Sequence, residues 1–203
     1  MAAQNSPASR EKEQTMSTTG ALDVACFQTD LGWMVVAGRA QKVERVAFGY
    51  PTRAAALGAI EAQFPDWHEA DWCPALVARL RAFASGQSVD FRDVELELAH
   101  LTPFQKRVVG QCRKIGYGRT RSYGELAELA GSPRAARAVG STMAANRFPI
   151  IVPCHRVINS DGSPGNYSAL DGRRTKLRLL ALERRESPAR SRPRARKATP
   201  VRA

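Results

Sequence analysis

Cys154 and His155 stand side by side in "FPIIVPCHRV", Phe148 to Val157, behind a run of mostly apolar residues. A thiol attacks as its thiolate, and a thiolate normally needs polar, electropositive surroundings. A cysteine after so greasy a run is therefore either an inert core residue or a nucleophile for something brought into a dry pocket. Taken alone, the packed core cysteine is the commoner case. The rest of the chain has to decide between them.

Two other sets of residues could carry chemistry. Cys26, Cys73, His68 and His100 offer zinc donors, but their spacing fits no compact metal motif. The four cysteines include no Cys-x-x-Cys pair, so free thiols are expected rather than a disulfide framework. The other set is basic. The net charge of +12 is unevenly spread: residues 1 to 101 hold 9 Lys/Arg against 13 Asp/Glu, residues 102 to 183 hold 14 against 5, and residues 184 to 203 hold 8 against 1. A basic half beside a mildly acidic one suits a polyanionic partner, of which nucleic acid is the commonest, although a solvated basic face explains the charge equally well.

These residues need elements to position them. The first twenty residues read as a disordered leader without the hydrophobic segment of a signal peptide, and no apolar run is long enough to span a membrane, so an intracellular protein is expected. From residue 21, short β-prone runs separated by Asp-, Gly- and Lys-containing turns predict an antiparallel meander. "TRAAALGAIEAQFP" and "CPALVARLRAFASG" carry helical periodicity, and two helices on one face of a small sheet would make an α+β unit over residues 21–96.

Residues 87 to 101 read as a strand or connector into a second unit, 97–186. There, Thr102 and Pro103 open a helix, Ser122 and Glu125 form a capping box closed at Gly131, and Ser132 with Pro133 restarts a helix after a tight turn. That is a helix-turn-helix pattern. The second helix is thin: its alanines, Gly140 and Ser141 leave Arg134 and Arg137 as its main reaching groups. A major-groove reader displays several long polar side chains, so this helix suits a backbone or minor-groove approach instead. Residues 187–203, without apolar periodicity, read as a disordered basic tail, which suits a salt-dependent rise in non-specific nucleic-acid affinity and a nuclear-import signal equally well.

The stretch "SYGELAELAGSPRAARAVGSTMAANRFPIIVPCHRVI" resembles the O6-alkylguanine-DNA alkyltransferases, and the likeness runs from about Thr102 to Glu183. The resemblance implies a ribonuclease H-like α+β unit followed by a mainly helical, winged-helix or helix-turn-helix-like catalytic domain. It makes Cys154 the alkyl acceptor, His155 the base acting through a water, Glu183 the residue that orients His155, and Asn146 the support of the active-site turn. Arg137 would fill the duplex position of an extruded base, beside Arg134 on the same helix. Tyr123 would crowd the adjacent phosphate, while Val157 and Ser168 read the guanine edge and Tyr167 walls the pocket. It implies double-stranded DNA bound through the minor groove by a monomer, with no metal or organic cofactor, in the cytoplasm beside the nucleoid or in a nucleus. Base extrusion fits the independent reading, since a base stacked in a duplex cannot meet a buried thiol.

The chain leaves the family pattern in one loop. Where the family has two glycines after the tyrosine, this sequence has Ser168-Ala169-Leu170, with about two extra residues before Lys176, and Arg184 follows Glu183 in place of glycine. Glycines there would allow wide φ/ψ and close backbone approach. A non-reactive, lesion-sensing relative is the alternative function, but such members carry Trp in place of the cysteine. A helix-turn-helix regulator would need longer base-reading side chains than these alanines.

Overall fold

The computed structural model describes residues 20–186; the leader up to residue 19 and the basic tail from residue 187 lie outside the described residues. Strands β1 (Leu22–Thr29), β2 (Gly32–Arg39) and β3 (Lys42–Tyr50) form the expected meander, with Cys26 opposite Val35 and Val36 opposite Val46. The sheet is mixed rather than purely antiparallel, because β4 (Trp67–Glu69) adds to β1 in parallel and gives the order β3-β2-β1-β4. Its three residues carry no periodicity to read. They become a strand through their neighbours' hydrogen bonds, Leu22 N–H to Asp66 O and Ala70 N–H to Val24 O, each 3.0 Å.

Helices α1 (Arg53–Glu61) and α2 (Pro74–Ala84) lie where helical periodicity predicts them, but on opposite faces of the sheet. Ala56 and Ile60 of α1 pack on Val24, Val35, Ala37 and Ala47, whereas Leu76, Leu80 and Phe83 of α2 share a cluster with Phe27, Met34, Val36 and Phe48. The expectation of one covered face is thereby corrected. The reason was available in β2, where Met34 to Gly38 are all buried: a strand without polar alternation needs cover on both sides.

The α2 face continues without a break into Val108, Cys112, Leu126, Val139, Cys154 and Leu179, so one buried cluster runs from the sheet to the reactive segment. Two sets of backbone bonds add to this. Val43 exchanges bonds with Glu95 and Glu97 of the connector, and Val46 N–H donates to Arg147 O at 2.9 Å. Close packing beneath the sheet depends on Gly38, where a Cβ would lie 2.1 Å from Lys42 O and 2.4 Å from the Trp72 ring. Gly38→Ala is expected to destabilise the fold by about 1–3 kcal/mol through overpacking. A urea midpoint equal to that of the wild type would contradict this packing.

The second half holds α3 (Pro103–Arg113), β5 (Arg121–Ser122), α4 (Tyr123–Leu129), α5 (Ala136–Ala144), β6 (Val157–Ile158) and α6 (Arg173–Glu186). Capping boxes close the starts of α3 (Thr102 with Gln105) and α4 (Ser122 with Glu125). The start of α5 is corrected: it begins at Ala136, not at Ser132–Pro133. Ser132 is taken by the preceding helix. Its N–H donates to Ala127 O while Gly131 N–H, at φ +75°, donates to Glu128 O, which together form a Schellman C-cap. One further turn, Ala135 N–H to Ser132 O, separates the two helices.

Candidate active site

The apolar run before the cysteine is a tight buried turn. Val152 N–H donates to Phe148 O at 2.8 Å, and Ile150 at its centre has φ +76°. A β-branched residue in the left-handed region is strained and persists only where its surroundings fix it. Here Phe148, Ile150, Ile151 and Val152 are all buried in the core. Asn146 ties the turn to the thiol: its Oδ1 accepts from Phe148 N–H, and its Nδ2 donates to Val152 O and to Cys154 Sγ, each bond 3.0 Å.

Cys154 opens a single 3₁₀ turn, Cys154–Arg156, and is only 4% exposed. Burial pushes its thiol up, and the Asn146 bond, the Tyr167 hydroxyl at 3.9 Å and the Lys176 charge work against that push. The resting thiol is thus protonated and needs a base. His155, fully buried, directs Nε2 to Glu183 Oε1 at 2.8 Å, while its Nδ1 has no hydrogen-bond partner among the described residues. Burial lowers the imidazole's affinity for a proton and Glu183 partly restores it. A neutral ring donating from Nε2 leaves a lone pair on Nδ1, so the arrangement holds a base whose basic atom is unengaged.

Glu183 gathers more than the histidine. Arg156 donates from Nε and Nη2 at 2.8–3.0 Å, and Gly118 N–H donates to Oε2 at 2.9 Å. Burial alone would raise this carboxyl, but His155 and then Arg156 outweigh it and hold it down at about 2. Arg156 Nη1 also donates to Ile115 O at 2.6 Å, fixing the guanidinium to the end of α3. Sequence reasoning missed Arg156. A charged residue inside "IIVPCHRVI" was the available signal, because a buried charge requires a partner.

Lys176 was missed too. It is fully buried on α6, with Nζ donating to Val157 O at 2.6 Å and to the Tyr123 hydroxyl at 3.4 Å, and lying 5.6 and 6.0 Å from the Tyr123 and Tyr167 rings. Burial lowers its pKa to about 8 against the opposing influence of Cys154 and Cys112.

The structure brings Cys154, Asn146, Tyr167 and Ser168 to one cavity of about 240 Å³, which Ala169 and Leu170 also line. Tyr123, Val157 and Lys176 do not line it but are held together through the Lys176 ammonium, which lies 6.0 Å from the Tyr167 ring. Arg134 and Arg137 are exposed beside or on α5 and line no part of that cavity. In the divergent loop, left-handed backbone falls at Asp171 (φ +62°) and Gly172 (φ +50°) instead of at Ala169 and Leu170. Aspartate tolerates that region and glycine favours it, so the bend sits just before α6. Among the described residues no three His, Cys, Asp or Glu side chains converge as a metal site; His68 pairs with Asp23 at 2.7 Å, and His100 lies against Phe148.

A buried thiol with an adjacent oriented base, placed behind a helix pair of DNA-binding type, defines a class of protein. Residues 103–185 match the model of the DNA-binding domain of 6-O-methylguanine DNA methyltransferase. A methylated-DNA–protein-cysteine methyltransferase of Methanosarcina acetivorans is 36% identical over 161 residues, covering 78% of this chain and 96% of that protein. The Mycolicibacterium paratuberculosis protein of that name is 49% identical over 114 residues, covering 56% of this chain and 66% of the relative, just under two thirds. The chain belongs to the methylated-DNA–protein-cysteine methyltransferase family. Mycobacterium tuberculosis OGT, solved in complex with DNA, superposes with a TM-score of 0.66 at 34% identity over 82% of this chain and 95% of that one. The α+β fold with a helix-turn-helix half is thus a shared one. Among the described residues no helix is long and apolar enough to cross a membrane.

Proposed function

We propose that this protein repairs DNA by direct reversal, moving the alkyl group of O6-alkylguanine in a duplex, with O4-alkylthymine as a second candidate, irreversibly onto its own Cys154. The observation that carries this reading is the buried His155–Glu183 bond of 2.8 Å beside a thiol held at 3.0 Å by Asn146. His155 Nδ1 takes the thiol proton through a water. The sulfur's electron pair then forms a bond to the alkyl carbon, the carbon–O6 bond breaks, and its electrons remain on the guanine, which is protonated as it leaves. A thioether is a poor leaving group and none of the described residues is placed to remove it, so one molecule serves one lesion.

On this reading the duplex is bound by a monomer through the minor groove, wherever in the cell DNA is held. The slim α5 allows close approach, and its exposed Arg137 fills the gap left by the flipped base while Arg134 meets a phosphate. Tyr123 crowds the neighbouring phosphate. Val157 and Ser168 read the guanine edge against the Tyr167 wall. Phosphate contacts carry no base information, which suits repair of lesions at any site.

Incubation with a duplex containing O6-methylguanine tests the reading. Intact-protein and peptide mass measurement is expected to find one methyl group per molecule, on the peptide bearing Cys154, and none in Cys154→Ala. Repeated turnover, or transfer that survives the substitution, would sink it.

A further inference from the structure

The cavity that contains Cys154 also has cationic residues in its lining. Besides Cys154, Pro149 and Tyr167 it is lined by Val46, Ala47 and Phe48 of β3 and by Arg45, Tyr50 and Arg147. Arg45 is half-buried and Arg147 exposed, and among the described residues neither guanidinium has an ion-pair partner; unpaired arginines such as Arg81, Arg119 and Arg137 are exposed on the surface, whereas Arg45 is partly withdrawn into this cleft. Arg45 Nε is buried with no acceptor. Burial, and to a smaller extent repulsion from Arg147, disfavour the charged form of Arg45, while Tyr50 partly offsets them. Two cations that repel one another in a partly desolvated cleft form a site whose electrostatics suit an anion. The cleft is continuous with the reacting sulfur.

We infer that Arg45 and Arg147 make this protein selective for O6-guanine adducts whose alkyl chain ends in a carboxylate. The inference rests on the reading of Cys154 as alkyl acceptor. The covalent step is the one already given: the Cys154 sulfur bonds to the O6-bound methylene, the carbon–O6 bond breaks with its electrons retained by guanine, and the carboxylate is carried unchanged into the thioether. The arginines have a defined task. A thiolate that approaches a carbon bearing a carboxylate meets a like charge within a few ångströms, and the two guanidinium groups offset that repulsion where the substituent lies. A phosphate of the DNA backbone shares the anionic chemistry, and the test separates the two sources.

The experiment compares single-turnover transfer from duplexes carrying O6-carboxymethylguanine and its neutral, equal-sized carbamoylmethyl counterpart, together with the carboxypropyl and carbamoylpropyl pair. Wild-type protein is expected to favour the acid over the amide by about tenfold at one chain length or both, the size of one charge-assisted hydrogen bond. Arg147→Gln, at an exposed position that does not endanger folding, lowers that ratio, and adding Arg45→Gln brings it near one; Arg45→Lys retains part of it. Absence of preference in the wild type at both lengths overturns the inference, as does a ratio indifferent to both substitutions. If the substitutions instead weaken binding to every duplex alike and flatten its salt dependence, the anion is a backbone phosphate and the inference is wrong. Methyl transfer is followed in parallel: its absence in the wild type would count against the acceptor role of Cys154, whereas its presence without acid preference would count against the arginines alone.

Discussion

Glu183→Gln is expected to lose stability and alkyl transfer together. The carboxylate is 1% exposed and accepts from His155, Arg156 and Gly118 through both oxygens. A glutamine of the same shape has one acceptor oxygen, and its amide would point N–H groups at the N–H groups of Arg156 or Gly118. Arg156 would also remain charged and buried without a counter-ion, a loss of about 3–5 kcal/mol. Transfer is expected to slow by about 10² or more, since His155 would lose the partner that fixes its ring and tautomer. Single-turnover rates on O6-methylguanine duplex and urea unfolding check both effects; wild-type values for either would refute the assignment.

The same carboxylate gives an acid signature. Its folded pKa, about 2, lies below the ordinary 4.5, so the stability it contributes is complete above pH 4.5 and is lost as pH falls through 2. In Glu183→Gln that part of the acid unfolding curve should be absent.

What could be read from the sequence was local, and what escaped depended on partners far along the chain. Thr102 and Ser122 announce helix starts because a cap bonds to a backbone only three residues away. Ser132 looks like another such cap, yet its N–H is committed backwards to α4, a choice set by Gly131 rather than by Ser132 itself. The opposite placement of α1 and α2 follows from which residues of β1 to β3 face each side, and short strands with little polar alternation do not say which helix covers which. Cys154, His155, Asn146 and Glu183 were named through the resemblance to the family's motifs, and the structure places all four around the reactive segment. Arg156 and Lys176 were not, because no cap or motif spacing marks a cation as buried, and Arg156 showed only as a charge inside an apolar run. On α6, however, Lys176 occupies the inward face with Leu179, Leu180 and Glu183, at i, i+3, i+4 and i+7. A lysine in line with an apolar stripe was the sign that it reaches inward.

That lysine sets the remaining large effect, expected in Lys176→Met. The substitution keeps the apolar stem and removes the ammonium that bonds Val157 O and lies between the Tyr123 and Tyr167 rings. Cys154 then loses the cation that works against burial of its thiolate, and the Val157 carbonyl, on the guanine-reading side of the proposed pocket, loses the bond that aims it. Loss of that cation raises the thiol's pKa further and lowers the thiolate fraction, so methyl transfer at pH 7 is expected to fall several-fold and its rise with pH to move to higher pH. Stability carries an independent mark. With its pKa lowered from 10.5 to about 8, Lys176 is protonated less readily in the folded state than in the unfolded one. Burial of its charge therefore costs stability below pH 8, and that cost is relieved as pH rises from 8 towards 10.5. Wild-type protein should gain stability from this group across that window, and Lys176→Met should not. An unchanged pH–rate profile in the variant would remove Lys176 from the activation of Cys154, leaving it only the task of holding Val157 in place.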